Sequence, residues 1–284
     1  FKEHLKGQNF EKLKEWYNGY KFLGEGVYNP FDILLFIQKG FEYRNYWFST
    51  ATPTFLLKII ERNNYFLPNL ENIIQSEKLL NSFDVDNIEL EALMWQTGYL
   101  TITETIKTPK GIRYRLDIPN QEVKISLMES IADFMSKIQN SVIVNDNILY
   151  AFIEHDMEKL EKNIKALFAA IPYNLFTNNK MYEYEGYYVS VFYSYIKALG
   201  FEMIGEDITN KGRIDLTLKL EDAIYIIEFK TDGSSALEQI KEKKYYEKYL
   251  ADNIPIYLIG IEFDTKERNI SKIEQEKMVW KKQL

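Results

Sequence analysis

The sequence predicts a chain that is mainly helical at first, with a winged-helix-like hairpin, and an α/β domain with a mixed sheet flanked by helices at its C-terminal end. Three observations carry this. Residues 213–230 contain two short β-branched and aromatic runs joined by Glu221-Asp222, the pattern of a hairpin. Around that hairpin the order is helix (181–199), strand (201–206), hairpin, helix (234–249) and strand (254–262), an α/β succession. Upstream, helical periodicity dominates, interrupted by a single strand–turn–strand pattern at 98–118.

Taken in order, Phe10–Tyr17 reads as a helix, and Asn29-Pro30 as a helix entrance with proline at the first helical position. A further helix is expected through Pro53–Asn63. Ile88–Trp95 is helical in pattern, Gly98–Ile102 and Tyr114–Ile118 are strands, and Thr108-Pro109-Lys110-Gly111 is the turn between them. Glu122–Ala170 is helical again, with breaks expected near Val142–Asn147 and at Pro172. Turn-forming residues at 172–179 place a boundary there, giving regions 1–80, 81–175 and 176–284. A short closing helix is expected over Ile270–Trp280.

With 284 residues, 46% hydrophobic and 27% charged, the chain suits two ordinary globular domains. No apolar run is long enough to span a membrane, and the absence of a secretory leader points to the cytoplasm. Phe1 is not a methionine, so a processed or longer parent chain is expected. Zero cysteines exclude disulfides, thiolate metal sites and Cys nucleophiles; His4 and His155, far apart, leave little for a His-based site. Any metal must be held by carboxylates and carbonyls, which favours Mg²⁺ or Mn²⁺. A net charge of −7 argues against non-specific coating of nucleic acid. It leaves room for an acidic metal site with a local basic rim.

Within the hairpin, counting outward from the turn puts Leu218 opposite Tyr225, Leu216 opposite Ile227, and Asp215 opposite Glu228. Cross-strand partners lie roughly 4.5–5.5 Å apart at Cβ, where like charges repel. A divalent cation, a nearby lysine or a shared proton would each offset this, and Lys230 projects from the same face as Glu228. The second strand is apolar on both faces until its end and should be central, whereas Asp215, Thr217 and Lys219 share the less buried face of the first. Two acidic side chains, the Phe229 carbonyl and a lysine match the needs of phosphodiester hydrolysis.

Gly212-Arg213-Ile214-Asp215 followed by Ile226-Ile227-Glu228-Phe229-Lys230 resembles the PD-(D/E)XK nuclease superfamily, with Ile-Asp in place of Pro-Asp. The resemblance extends over about 180–265. It implies a restriction-endonuclease-like sheet, Mg²⁺ or Mn²⁺ at Asp215, Glu228 and the Phe229 carbonyl, and Lys230 serving the attacking water. The helix bearing Glu183 and Glu185 resembles the first core helix, which implies Glu185 as an auxiliary ligand. Ala236–Lys241, with Tyr245 and Tyr246 beyond, resembles the Gln/Tyr helix of RecB-like members and implies a role for Gln239. Trp16–Tyr20, Val27–Pro30, Tyr46-Trp47 and Gln96–Leu100 look like the end of the ATPase-like region that precedes such domains in a bacterial group. A GxxxxGK[ST] loop is missing, so no ATP site is expected within these residues and an upstream ATPase region is a possible partner.

Blander readings stand beside these. Glu183 suits a helix N-terminus, Gln239 suits local packing, and Arg213, Lys241, Lys244 and Tyr245 serve equally as a phosphate-contacting rim or as ordinary surface. Trp16–Tyr20 suits core packing. The hairpin cations Lys107, Lys110, Arg113 and Arg115 suit either a nucleic-acid backbone or domain packing. The functional alternatives are thus a Mg²⁺-dependent nuclease and a catalytically silent module that binds nucleic acid or protein.

Overall fold

The computed structural model describes residues 3–21, 24–47, 54–70, 73–77, 89–138, 141–171 and 185–278. The chain divides into two compact units, Phe1–Tyr65 with Asn69–Ile131, and Phe66–Pro68 with Ala132–Leu284.

In the first unit, α1 (Phe10–Tyr17) begins where the Asn9 side chain accepts the Lys12 N–H, and α2 (Pro30–Gln38) where Asn29 caps and Pro30 opens the first turn. Helix α3 covers Thr54–Arg62, strand β1 Ile73–Ser76 and α4 Leu90–Gln96. Strands β2 (Thr101–Thr108) and β3 (Gly111–Asp117) form a hairpin about the expected turn, the first strand starting at Thr101 rather than Gly98 and both reaching closer to the turn than expected, and the sheet runs β1-β3-β2, antiparallel throughout. Tyr17, Phe36 and Tyr46 pack with Leu13 and Ile33 in an apolar core. The Tyr17 hydroxyl donates to the Arg44 carbonyl and accepts the Arg44 N–H, so this part of the aromatic motif is structural.

Helix α5 spans Gln121–Ser136, α6 Ser141–Ile153 and α7 Met157–Ala169. The expected break at Val142–Asn147 is therefore corrected. α6 runs through those residues, and the interruption lies upstream, after Lys137 adopts a left-handed φ of 50°. The β-branched residues weaken helix propensity only by tenths of a kcal/mol, of order what neighbouring contacts override. The boundary expected at 172–179 lies outside the described residues.

The second unit is built on a five-stranded sheet in the order β4-β5-β6-β7-β8. These are Glu202–Thr209, Gly212–Lys219, Ile224–Lys230, Ile256–Asp264 and Asn269–Met278. Only β6 and β7 pair in parallel, and helix α9 (Ala236–Lys243) lies between them in sequence. A left-handed Lys244 ends α9, and Tyr245–Asp252 continues as a 3-10 helix, so the helix expected to reach residue 249 is divided in two. On one sheet face Ile224, Ile226, Ile256 and Leu258 pack against Leu237, Ile240, Tyr245 and Tyr249. On the other, Tyr225, Phe229 and Phe263 meet Phe152, Phe168, Tyr188 and Phe192, the last two from α8 (Glu185–Ala198). Every residue of α8 from Gly186 to Ala198 is buried, in keeping with a largely apolar and aromatic sequence in which Ser190, Ser194 and Lys197 are the polar exceptions.

Two expectations fail here. Residues 270–278 form strand β8, not a helix, pairing antiparallel along β7 with Ile261 opposite Ile273. The unpaired N–H and C=O groups of β7 would otherwise be an open edge, and pairing them outweighs the helix preference of Glu, Gln and Lys. The charges of β8 then protect the new edge. Trp280 lies outside the described residues. Nor is the Asp215/Thr217 face left open, because Thr217 is 0% exposed and its hydroxyl donates to Asp207, which also accepts from Tyr249.

Candidate active site

The hairpin has the register its turn dictates. Leu220 N–H donates to the Ala223 carbonyl, Leu218 pairs with Tyr225, and Leu216 with Ile227. The next position outward is Asp215 against Glu228. There the backbone ladder stops, and the Asp215 carboxylate takes the Phe229 N–H at 2.9 Å. Asp215 thereby fills the place of a missing rung and is held at the strand end.

Glu228 is 0% exposed. One carboxylate oxygen accepts from the Gln239 amide at 3.0 Å, and the other, Oε1, is buried without a hydrogen-bond partner. Burial and the facing Asp215 push Glu228 up to about 10. Burial also raises Asp215, opposed by the Phe229 N–H and by its hydrogen bond with Glu228. The facing pair therefore keeps a proton at neutral pH, the larger rise falling on Glu228.

Lys230 ends β6 with its side chain 15% exposed, and Nζ stands 3.7 Å from a Glu185 oxygen. Glu185, in the first turn of α8, also accepts the Thr231 N–H at 3.2 Å. Burial raises the Glu185 carboxyl while Lys230 opposes the rise. Glu185 is thus joined to the lysine and to the backbone beyond it. Glu183 lies outside the described residues.

Among the described residues no three Asp, Glu or His side chains come together as a metal-holding group. A cation here would rest on Asp215, Glu228, the Phe229 carbonyl and solvent. That set suits Mg²⁺, which keeps several waters and takes one or two carboxylates. The orphaned Glu228 Oε1 supplies the direct evidence of fit. A buried carboxyl oxygen without a partner is costly, and a hard cation that replaces the proton held by the pair would relieve that cost.

The rim residues are less uniform. Arg213 forms an ion pair with Glu206, whose backbone has a left-handed φ of 55° and whose carboxyl is raised by burial. Lys241 pairs with Glu276 at 2.8 Å and lies 3.5 Å from Glu238. Lys244 is exposed at the left-handed end of α9. Tyr245 is corrected: it is 3% exposed and packs in the core between α9 and the sheet. Its ring is not offered to a base. A Cβ on Gly212 would lie 2.8 Å from the Tyr245 hydroxyl, so that glycine lets the tyrosine close the wall of the site.

One residue that matters was missed in the sequence. Gly260 pairs with Glu228 across β6 and β7, and a Cβ there would meet the Leu237 backbone nitrogen at 2.4 Å. Its lack of a side chain lets α9 approach the sheet and bring Gln239 to Glu228. A glycine within a buried strand is the signal of close backbone approach.

The PD-(D/E)XK nuclease superfamily matches residues 183–273, a stretch that includes all of these candidate residues. A protein of Azotobacter chroococcum mcd 1, described as an uncharacterized protein in the vnfD 5' region, is 42% identical over 275 residues, covering 95% of this chain. The chain spans about half, 53%, of that relative's length. No solved structure matches the chain. Together the family match and the mixed sheet flanked by helices identify residues 183–273 as a PD-(D/E)XK nuclease superfamily domain with a restriction-endonuclease-like α/β fold.

Proposed function

We propose that the second unit is a Mg²⁺- or Mn²⁺-dependent nuclease that hydrolyses phosphodiester bonds in DNA or RNA. The observation that carries this is the buried Glu228 facing Asp215, with Oε1 unpartnered and Lys230 at the end of the same strand. Asp215, Glu228 and the Phe229 carbonyl would hold the cation, which supplies Lewis-acid polarisation of the phosphate and a more acidic water. Gln239 fixes one Glu228 oxygen, leaving the other free for ligation. Lys230 orients the attacking water or meets developing negative charge, and Glu185 holds the lysine in place from α8. The position of Gln239 supports a RecB-like assignment within the superfamily. The first unit we read as the end of an ATPase-like region whose nucleotide-binding part is not in these residues. Among the described residues no helix is long and apolar enough to cross a membrane.

The test is cleavage of single- and double-stranded DNA and RNA with Mg²⁺ or Mn²⁺, beside Asp215→Asn and Lys230→Ala. Each substitution is expected to lower the rate by at least about 100-fold, the scale of losing one charge-stabilising group. Lys230→Ala should retain metal binding. Cleavage that survives both changes would sink the assignment, and a wild-type protein that neither cleaves nor binds millimolar Mn²⁺ would favour a silent interaction module.

A further inference from the structure

In the first unit the β2–β3 hairpin carries a charge pattern at odds with the chain's net −7. Residues 105–114 contain Lys107, Lys110 and Arg113 and no acid. All three are exposed, and none forms an ion pair among the described residues. Arg115, further down, is neutralised by Glu104 at 2.9 Å.

The hairpin register fixes where these cations point. Lys107 pairs with Ile112, and Ile106 with Arg113, so Lys107 and Arg113 lie on opposite faces of the ribbon. Lys110 sits in the two-residue turn between the strands. Ile112, Tyr114 and Leu116 share a face, yet Tyr114 and Leu116 are buried whereas Ile112 is 41% exposed. The core therefore ends near Tyr114; β1 flanks β3 as far as Arg113, opposite Ser76, and among the described residues only 107–112 project as two strands alone, with Lys107, Lys110 and Ile112 exposed.

A two-stranded tip with Lys107 on one face and Lys110 at its end, and with Arg113 on the other face at its base, fits a slot walled by negative charge on both sides. The major groove of B-form DNA, about 12 Å wide, admits such a ribbon between its two phosphate backbones. The major groove of duplex RNA is too narrow for it, and a single strand offers phosphates on one side only. We propose that the 107–112 tip of the hairpin enters the major groove of duplex DNA, with Lys107 and Lys110, and Arg113 at its base, contacting phosphates of both strands. This rests on the nucleic-acid reading above.

The experiment uses the full chain carrying Asp215→Ala, which silences cleavage, and measures binding to a short DNA duplex by fluorescence anisotropy across a salt series. Adding Lys107→Ala, Lys110→Ala and Arg113→Ala should flatten the slope of log K against log salt by nearly 3, at about 0.9 per phosphate contact. Affinity at 0.1 M salt should drop by roughly 100-fold or more. A control with Lys39, Lys58 and Lys162 changed to alanine should keep most of both. A triple variant with unchanged slope and affinity overturns the proposal. So does an equal loss on single-stranded DNA or duplex RNA, or a parent protein that binds no duplex. Because binding is read without turnover, an inactive enzyme with the expected slope change would sink the catalytic reading and leave this one standing.

Discussion

Glu228→Gln isolates the electrostatic logic of the site. In the metal-free protein burial and Asp215 hold the Glu228 carboxyl neutral up to about 10. A divalent cation binding at Glu228 Oε1 must displace that proton, so across neutral pH one proton is released per cation bound. The apparent binding constant should then rise tenfold per pH unit, about 100-fold between roughly pH 6.5 and 8.5, or about 2.7 kcal/mol. Glutamine keeps the shape and the Gln239 contact but carries no proton to displace, so its weaker affinity should be nearly flat over that range. Calorimetric titration with Mn²⁺ at three pH values, each in two buffers of different ionisation enthalpy, gives both the slope and the proton count. The stability sign is opposite. An acid whose folded value lies above its unfolded 4.5 binds more protons folded than unfolded, so metal-free stability falls as pH rises from about 4.5 toward 10. A wild-type affinity independent of pH, with no proton released, would refute this assignment of the pair's proton.

Two further outcomes follow from particular contacts. Gly260→Ala should cost about 1–3 kcal/mol in urea unfolding, the range for overpacking a filled site, and should weaken Mn²⁺ binding as α9 and Gln239 shift; unchanged stability and affinity would contradict the close approach. In the first unit, Asp32 and Glu122 are both buried, and burial and then Glu122 raise Asp32 to about 8. Folded Asp32 keeps its proton while the unfolded chain loses it, so stability should decline from about pH 4 to 8 by at most ~1.4 kcal/mol per pH unit. Asp32→Asn should remove that decline, as read by Trp16, Trp47 and Trp95 fluorescence, all in this unit; parallel pH profiles for the two proteins would count against a protonated Asp32.

The hairpin at the site was legible because its determinants are local. A two-residue connection and a two-residue side-chain period place Asp215 against Glu228 whatever surrounds them. The α2 entrance at Asn29-Pro30 was equally local, and it appears where expected. Misreadings arose where a distant neighbour decides. Residues 270–278 have helix-forming composition, yet they lie along the open edge of β7. Tyr245 has the spacing of a surface residue on a continuing helix, but Lys244 ends that helix in a left-handed turn and directs the ring inward.

What the sequence by itself determined is the chemistry on offer: no thiols, two separated histidines, and carboxylates paired across a short turn. Composition and local periodicity suffice for that. Only the tertiary structure decided that Glu228 is wholly buried with one free oxygen, that Gln239 holds the other, and that Lys230 answers to Glu185. Those relations depend on how close α8 and α9 come to the sheet, and a contact such as Gly260 against Leu237 is set by packing between residues far apart in the chain.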